Sequence, residues 1–221
     1  MENPNLIVML THNDKTVDNA YEVFEKCKNT QCQFFGMKEE DLPPYLLKKV
    51  FKYMKDNGKT TVLEVVAYTD FESMKGAFLA KYCGCDILMG TIYSDLINDF
   101  CKKNNIIYMP FVGDIKERPS ILSGSIESMV DEANLYCEKG VFGIDLLGYR
   151  YTGDAFELNK KMVQETNGKV CIAGSVNSIQ RLDEIKEISP WAFTIGGAFF
   201  ENKFGDSISE QIDKVYTYVR R

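Results

Sequence analysis

CIAGSVNSIQRLDEIKEISPWAFTIGGAFFENKFG, residues 171–205, contains two apolar runs, each closed by a small glycine-bearing turn, Gly174-Ser175 and Gly196-Gly197, with a stretch of helical spacing between them. The same alternation extends over the whole chain. Apolar, β-branched runs recur at LIVMLT (6–11), CQFFGM (32–37), TTVLEVV (60–66), DILMG (86–90), IIYMPFV (106–112), VFGIDLL (141–147), KVCIAG (169–174) and AFTIGG (192–197). Each is followed by an amphipathic segment. In YLLKKVFKYMKDNG, for example, Leu46, Leu47, Val50, Phe51 and Met54 recur every three or four residues, lysines fill the other face, and Gly58 ends the segment. Strands this continuously apolar are buried on both faces, as in a parallel sheet covered by helices. Eight strand-helix units therefore predict an α/β fold, a single-domain (β/α)8 TIM barrel with parallel strands over residues 1–221. An open doubly wound sheet of fewer strands is the alternative, and no linker or composition shift marks a second domain.

Composition narrows the partners. The 221 residues are 45% hydrophobic and carry a formal net charge of -6, a field that repels phosphate backbones and anionic lipid, so neither nucleic acid nor a membrane is expected as a partner. MENPNLIVMLTHND has a short apolar run and no basic flank, unlike a signal peptide. The expectation is a soluble cytoplasmic protein. Seven cysteines without a CxxC module fit a reduced interior, and Cys83 and Cys85 are too close together for half of a usual structural zinc site. With His12 the only histidine, no metal or other cofactor is expected, although magnesium held by carboxylates and water stays open. Oligomeric state is also open, a homo-oligomer included.

The two glycine turns supply the first functional hint. In such a barrel the loops after strands seven and eight often cradle a phosphate with backbone N–H groups and the start of a short extra helix. Gly174, Ser175, Gly196 and Gly197 are the candidate phosphate-binding residues, and AFFENKF has the length for that helix before the last one begins at Ser207. Asn177 and Ser178 suit the cap of helix seven. Tight turning alone is the other account of the glycines.

AGSVNSIQRLDEIKEISPWAFTIGGAFF resembles the carboxyl-terminal quarter of the ribulose-phosphate-binding TIM barrels, which include sugar-phosphate epimerases, histidine- and tryptophan-pathway isomerases and related lyases. VLEVVAYTDFESMKGAFLAKYCGCDILMGTIYSD is similar in layout to the corresponding part of the N-acylmannosamine-6-phosphate 2-epimerases. One departure is that Ile172-Ala173-Gly174 stand where those epimerases carry an acidic residue before the strand-seven turn. The resemblance implies a small phosphorylated metabolite, sugar-like, as ligand.

Charged residues at strand ends are the catalytic candidates on this scaffold. Lys38 ends strand two, Glu64 interrupts strand three, Asp145 interrupts strand six, and His12 closes strand one. Carboxylates inside apolar runs must be paired, wet or protonated, and Lys38 is the natural counter-charge. Either these form a structural ion pair, or the ammonium tunes a proton-transfer base and stabilises an enediolate oxygen. His12 is a second acid/base candidate or simply shapes the first loop with Asn13 and Asp14. Arg150 suits phosphate recognition and ranks above Arg118. PFVGDIKERPSILSG is the longest strand-to-helix loop and a candidate lid. The function these residues predict is an enzyme acting on a phosphorylated sugar or sugar-acid by proton abstraction beside a carbonyl: an isomerase, an epimerase or a carbon-carbon lyase. A Schiff base on Lys38 would make it an aldolase, and a non-catalytic sensor of a phosphorylated metabolite is the alternative outside enzymes.

Overall fold

Apolar runs that bury both faces need helices on one side and a closed interior on the other, and the chain provides both. A computed structural model describes residues 3–221. Its barrel strands are β1 (Asn5–Met9), β2 (Phe34–Lys38), β3 (Thr60–Val65), β4 (Ile87–Gly90), β5 (Ile107–Met109), β6 (Gly143–Leu146), β7 (Lys169–Ile172) and β8 (Ala192–Ile195). All pair in parallel, in the order β6-β7-β8-β1-β2-β3-β4-β5. The remaining gap, between β5 and β6, is bridged by two backbone hydrogen bonds: Phe142 N–H to the Tyr108 carbonyl at 3.2 Å, and Asp145 N–H to the Pro110 carbonyl at 3.0 Å. The result is the predicted eight-stranded α/β barrel.

The outer helices are α1 (Ala20–Cys27), α2 (Pro44–Asp56), α3 (Asp70–Cys83), α4 (Asp95–Lys103), α5 (Ile126–Glu138), α6 (Ala155–Glu165), α7 (Ile179–Ile188) and, after a short α8 (Gly197–Phe200), α9 (Ile208–Tyr218). Their starts follow local chemistry. Thr69, Ser125, Asp154, Ser178 and Ser207 each accept a backbone N–H from the first turn of their helix, so the expected cap at Ser178 is present. Asn177 instead faces the Arg181 guanidinium at 3.4 Å. Among the described residues, no helix is long and apolar enough to cross a membrane.

Two layers of side chains form the core. Ile7, Met9, Val62, Ile87, Met89, Met109, Cys171 and Ala192 fill the barrel interior. Phe34 and Phe142 meet the ring of Trp191 edge-on at 5.8 and 5.1 Å, and Phe34 and Trp191 pack against that interior. Between sheet and helices lies the larger cluster, to which Phe24, Phe35, Phe51, Phe193 and Phe199 each contribute a fully buried ring.

The structure differs from the sequence reading at two strand ends. β1 stops at Met9, and the chain turns back as a small antiparallel hairpin, Thr11–His12 with Lys15–Thr16. β5 stops before Pro110, whose ring nitrogen has no hydrogen to give the ladder, and the loop beyond forms a second hairpin, Asp114–Lys116 with Ile121–Ser123. Phe193→Ala, which empties a fully buried site on β8, is expected to cost about 3–5 kcal/mol of unfolding free energy. Chemical denaturation followed by Trp191 fluorescence measures it, and a loss under about 1 kcal/mol would mean the strand-helix layer is not the main core.

Candidate active site

Asn13 and Asp14 join the first hairpin, and both take left-handed backbone conformations (φ 51° and 66°). That is the two-residue turn whose twist suits an antiparallel pair, and Asn and Asp tolerate it better than most residues. Thr16 docks the hairpin on the end of β2: its Oγ1 accepts the Lys38 N–H and donates to the Lys38 carbonyl, both at 2.9 Å. Asp14 is thereby delivered to the Lys38 side chain. The ammonium donates to Asp14 Oδ1 at 2.7 Å and lies 3.4 Å from Glu64 Oε1, Glu64 being its ladder neighbour on β3. Arg150 Nη2 approaches the same Asp14 oxygen at 3.4 Å, and Nη1 reaches the Ser120 carbonyl at 3.5 Å.

Lys38 is 8% exposed and Glu64 7%. Burial alone would depress the lysine, but the Glu64 and Asp14 carboxylates outweigh it and hold the ammonium above its ordinary pKa. Asp145 differs from both. It is fully buried on β6, and neither carboxylate oxygen has a hydrogen-bond partner. Burial drives its pKa well above the usual carboxylate range, the nearby Glu64 charge adds to the rise, and Lys38 only partly opposes it.

Opposite these charges stand the turns after β7 and β8. Gly174 has φ +91°, and a Cβ there would meet the Arg150 side chain at 3.0 Å. A Cβ on Gly196 would lie 2.4 Å from the Thr11 hydroxyl. Glycine at these two positions is therefore required by the backbone and its packing. At Gly197 the nearest obstacle is 3.8 Å away, so nothing in the protein demands glycine there. Ser175 sits at φ 21°, a conformation a side chain rarely adopts.

Lys38, Glu64, Arg150, Gly174, Ser175, Gly196 and Gly197 line one cleft of about 370 Å³. Asp145 lies outside its lining, closed off from solvent. His12 is also outside the lining, stacked on Phe200 at 5.9 Å with Nε2 3.9 Å from the Glu201 carboxylate. Arg118 turns away to Glu39, Glu40 and the Val66 carbonyl. Its loop nevertheless contributes Pro119 and Ser120 to the cleft wall. Tyr68 anchors that loop from one side, through the Glu117 carbonyl (2.8 Å) and the Ser120 hydroxyl (2.9 Å), and Thr152 N–H anchors it from the other, at the Leu122 carbonyl (3.0 Å). Sequence reasoning left Asp14 in a loop-shaping role and missed Glu201 and Thr194, which also line the cleft. For Asp14 the sequence offers only a weak signal: Asn-Asp, two residues that tolerate the left-handed turn conformation, stands between Thr-His and Lys-Thr.

Comparison with solved structures finds the same architecture. The native structure of KDPGal matches with a TM-score of 0.70 at 13% identity, covering 100% of this chain and 96% of that one. The N-acetylmannosamine-6-phosphate 2-epimerase from Clostridium perfringens gives 0.64 at 14%, with 96% and 92% covered. The fold of this chain is theirs. A glycerol uptake operon antiterminator regulatory protein from Listeria monocytogenes str. 4b F2365 matches at 0.60 and 17%, with 88% and 92% covered. At such identities the likeness concerns the fold alone. No protein-family model matches the sequence, and no curated protein does either.

Asp145 yields a pH prediction. An unfolded aspartate releases its proton near about pH 4, whereas the folded protein retains it to much higher pH, so this group lowers stability as pH rises from there toward the folded pKa. Asp145→Asn removes that slope. Its melting temperature is expected to exceed that of the parent at pH 8, with the difference shrinking toward pH 4, and a difference independent of pH would refute a retained proton.

Proposed function

We propose that this protein is an enzyme acting on a small phosphorylated sugar or sugar-acid by proton abstraction next to a carbonyl, as an isomerase, an epimerase or a carbon-carbon lyase. The observation that carries the reading is the Lys38 ammonium, held between Asp14 and Glu64 in a cleft whose other wall is the glycine turns after β7 and β8. In this reading the amides of Gly174, Ser175, Gly196 and Gly197, with Arg150, receive the phosphate. The sugar then lies across the cleft with its carbonyl oxygen toward Lys38.

Glu64 lines the cleft, which supports it as the base in this reading. It takes the proton from the carbon beside the carbonyl, the C–H electron pair forms a carbon-carbon double bond, and the carbonyl oxygen becomes an enediolate oxygen facing the ammonium. Return of the proton to the other face gives an epimer, and return to the neighbouring carbon gives an isomer. In a lyase the same oxygen charge would develop as a carbon-carbon bond breaks. Asp145, covered and retaining its proton, is the weaker candidate for base and a reserve acid behind the site. His12 keeps a place only at the rim, near Glu201. A Schiff base would need a neutral amine at Lys38, and the two flanking carboxylates work against that. The names of the similar structures support a sugar-phosphate substrate, one being an N-acetylmannosamine-6-phosphate 2-epimerase.

The sensor reading retains one specific support, the apolar outer face of α3, which presents Phe71, Phe78 and Tyr82 to solvent. Substrate C–H exchange in deuterated water separates the two. A panel of phosphorylated sugars and sugar-acids is first ranked by thermal shift, and the best binders are followed by proton NMR. Exchange is expected in the parent, to fall by about 10²–10⁴-fold in Glu64→Gln, while that variant keeps its phosphate-dependent thermal shift. Lys38→Met is expected to lose exchange as well. Binding without exchange in the parent supports the sensor, and a melting temperature indifferent to every phosphorylated compound refutes both.

A further inference from the structure

α3 is built differently from the helix before it. α2 turns Leu47, Val50, Phe51 and Met54 inward and carries lysines outside, as an outer barrel helix should. α3 buries Ser73, Gly76, Ala77, Ala80 and Cys83, small side chains apart from the cysteine thiol, and places its large rings outside. Phe71 is 70% exposed, Phe78 57% and Tyr82 48%. With Lys75 these residues follow one another by four, three and four positions, a seam along one side of the helix opposite the buried side. The Lys75 ammonium already rests over the Phe71 ring at 4.2 Å, and Phe78 meets Phe100 of α4 edge-on at 4.9 Å, so the seam continues onto the next helix.

We propose that this face is where two copies of the chain pair, with the α3 helices antiparallel about a two-fold axis. Residue spacing and charge select that occupant. A two-fold axis between positions 76 and 77 sets Phe71 against the partner subunit's Tyr82 and Lys75 against the partner subunit's Phe78, ring on ring and ammonium on ring. The flanks also match. Asp70 in the first turn and Lys81 in the last lie on the same side of the seam, so each Asp70 meets the partner subunit's Lys81. A chain of net charge -6 repels its copies in general, and this face offers the local complementarity that such a pair requires. The inference is independent of the chemistry proposed for the cleft.

Sedimentation equilibrium of the full chain across micromolar concentrations tests it. The parent is expected to run at the mass of two chains, and Phe78→Glu at the mass of one, with an unchanged circular dichroism spectrum. Asp70→Lys and Lys81→Asp are each expected to weaken pairing about tenfold, by setting like charges against each other at both ends of that flank. Mixing these two variants restores it, because every flank then has opposite charges. A parent that stays monomeric, or a dimer that Phe78→Glu leaves intact, overturns the proposal. A dimer that Phe78→Glu dissolves but that mixing fails to restore overturns the antiparallel arrangement.

Discussion

One buried ammonium shares the mouth of the barrel with three carboxylates, and the rest of the site follows from how that imbalance is settled. Ionising Asp14, Glu64 and Asp145 together around Lys38 in a poorly hydrated place would leave charge that nearby Arg150 neutralises only on the Asp14 side. The least costly arrangement protonates the carboxyl group with the fewest donors and the deepest burial. Asp145 meets both conditions, since neither oxygen has a partner and no part of it reaches solvent. Glu64 and Asp14, which touch the ammonium, are the pair it compensates. Which carboxyl group keeps its proton is thus a consequence of where each side chain stands on its strand.

That charge balance depends on segments outside the barrel ladder. Asp14 reaches Lys38 only because a two-residue turn reverses the chain after β1 and Thr16 fastens the returning strand to the backbone of Lys38. Arg150 is placed by the turn of 3-10 helix after β6 and leans on the loop that follows β5 through Ser120. That loop is itself tied to Tyr68 after β3 and Thr152 after β6. Four βα connections are therefore coupled through side chains that meet above the cleft.

The barrel was legible because its signal is repeated. Eight apolar runs and eight amphipathic segments constrain one another, and a mistake of two residues at one strand end leaves the alternation intact. The glycine turns after β7 and β8 were legible for the same reason, and at 174 and 196 the backbone conformation and the packing against Arg150 and Thr11 already require glycine. Lys38 stood out at the end of an apolar run, Glu64 inside one and Arg150 in the loop after strand six, and the three line one cleft. Asp14 was hidden because its place depends on a hairpin of two-residue strands, too short to show a period. Glu201 was hidden because it follows a single helical turn, where sequence spacing says little about direction.

Closure of the barrel also bears on how the molecule can associate. With the last gap bridged by the hydrogen bonds of Phe142 and Asp145, the main sheet among the described residues is nearly closed, which favours contact between copies through helices or loops. Other outer helices expose single large apolar side chains, such as Tyr45 on α2 and Leu96 on α4, and the loops above the cleft are engaged with one another. α3 stands apart because its inward side chains are small, Gly76 lying so close to Val65 of β3 that a Cβ would come within 2.5 Å of it, while the bulky apolar residues are left outside. For a lone barrel that distribution is the reverse of what burial favours, since water surrounds the rings and the core receives mostly methyl-sized groups. It becomes favourable only when the outer rings are covered. The composition of this one helix thus argues for a covered face on the same physical ground that assigned the others to the outside of the barrel.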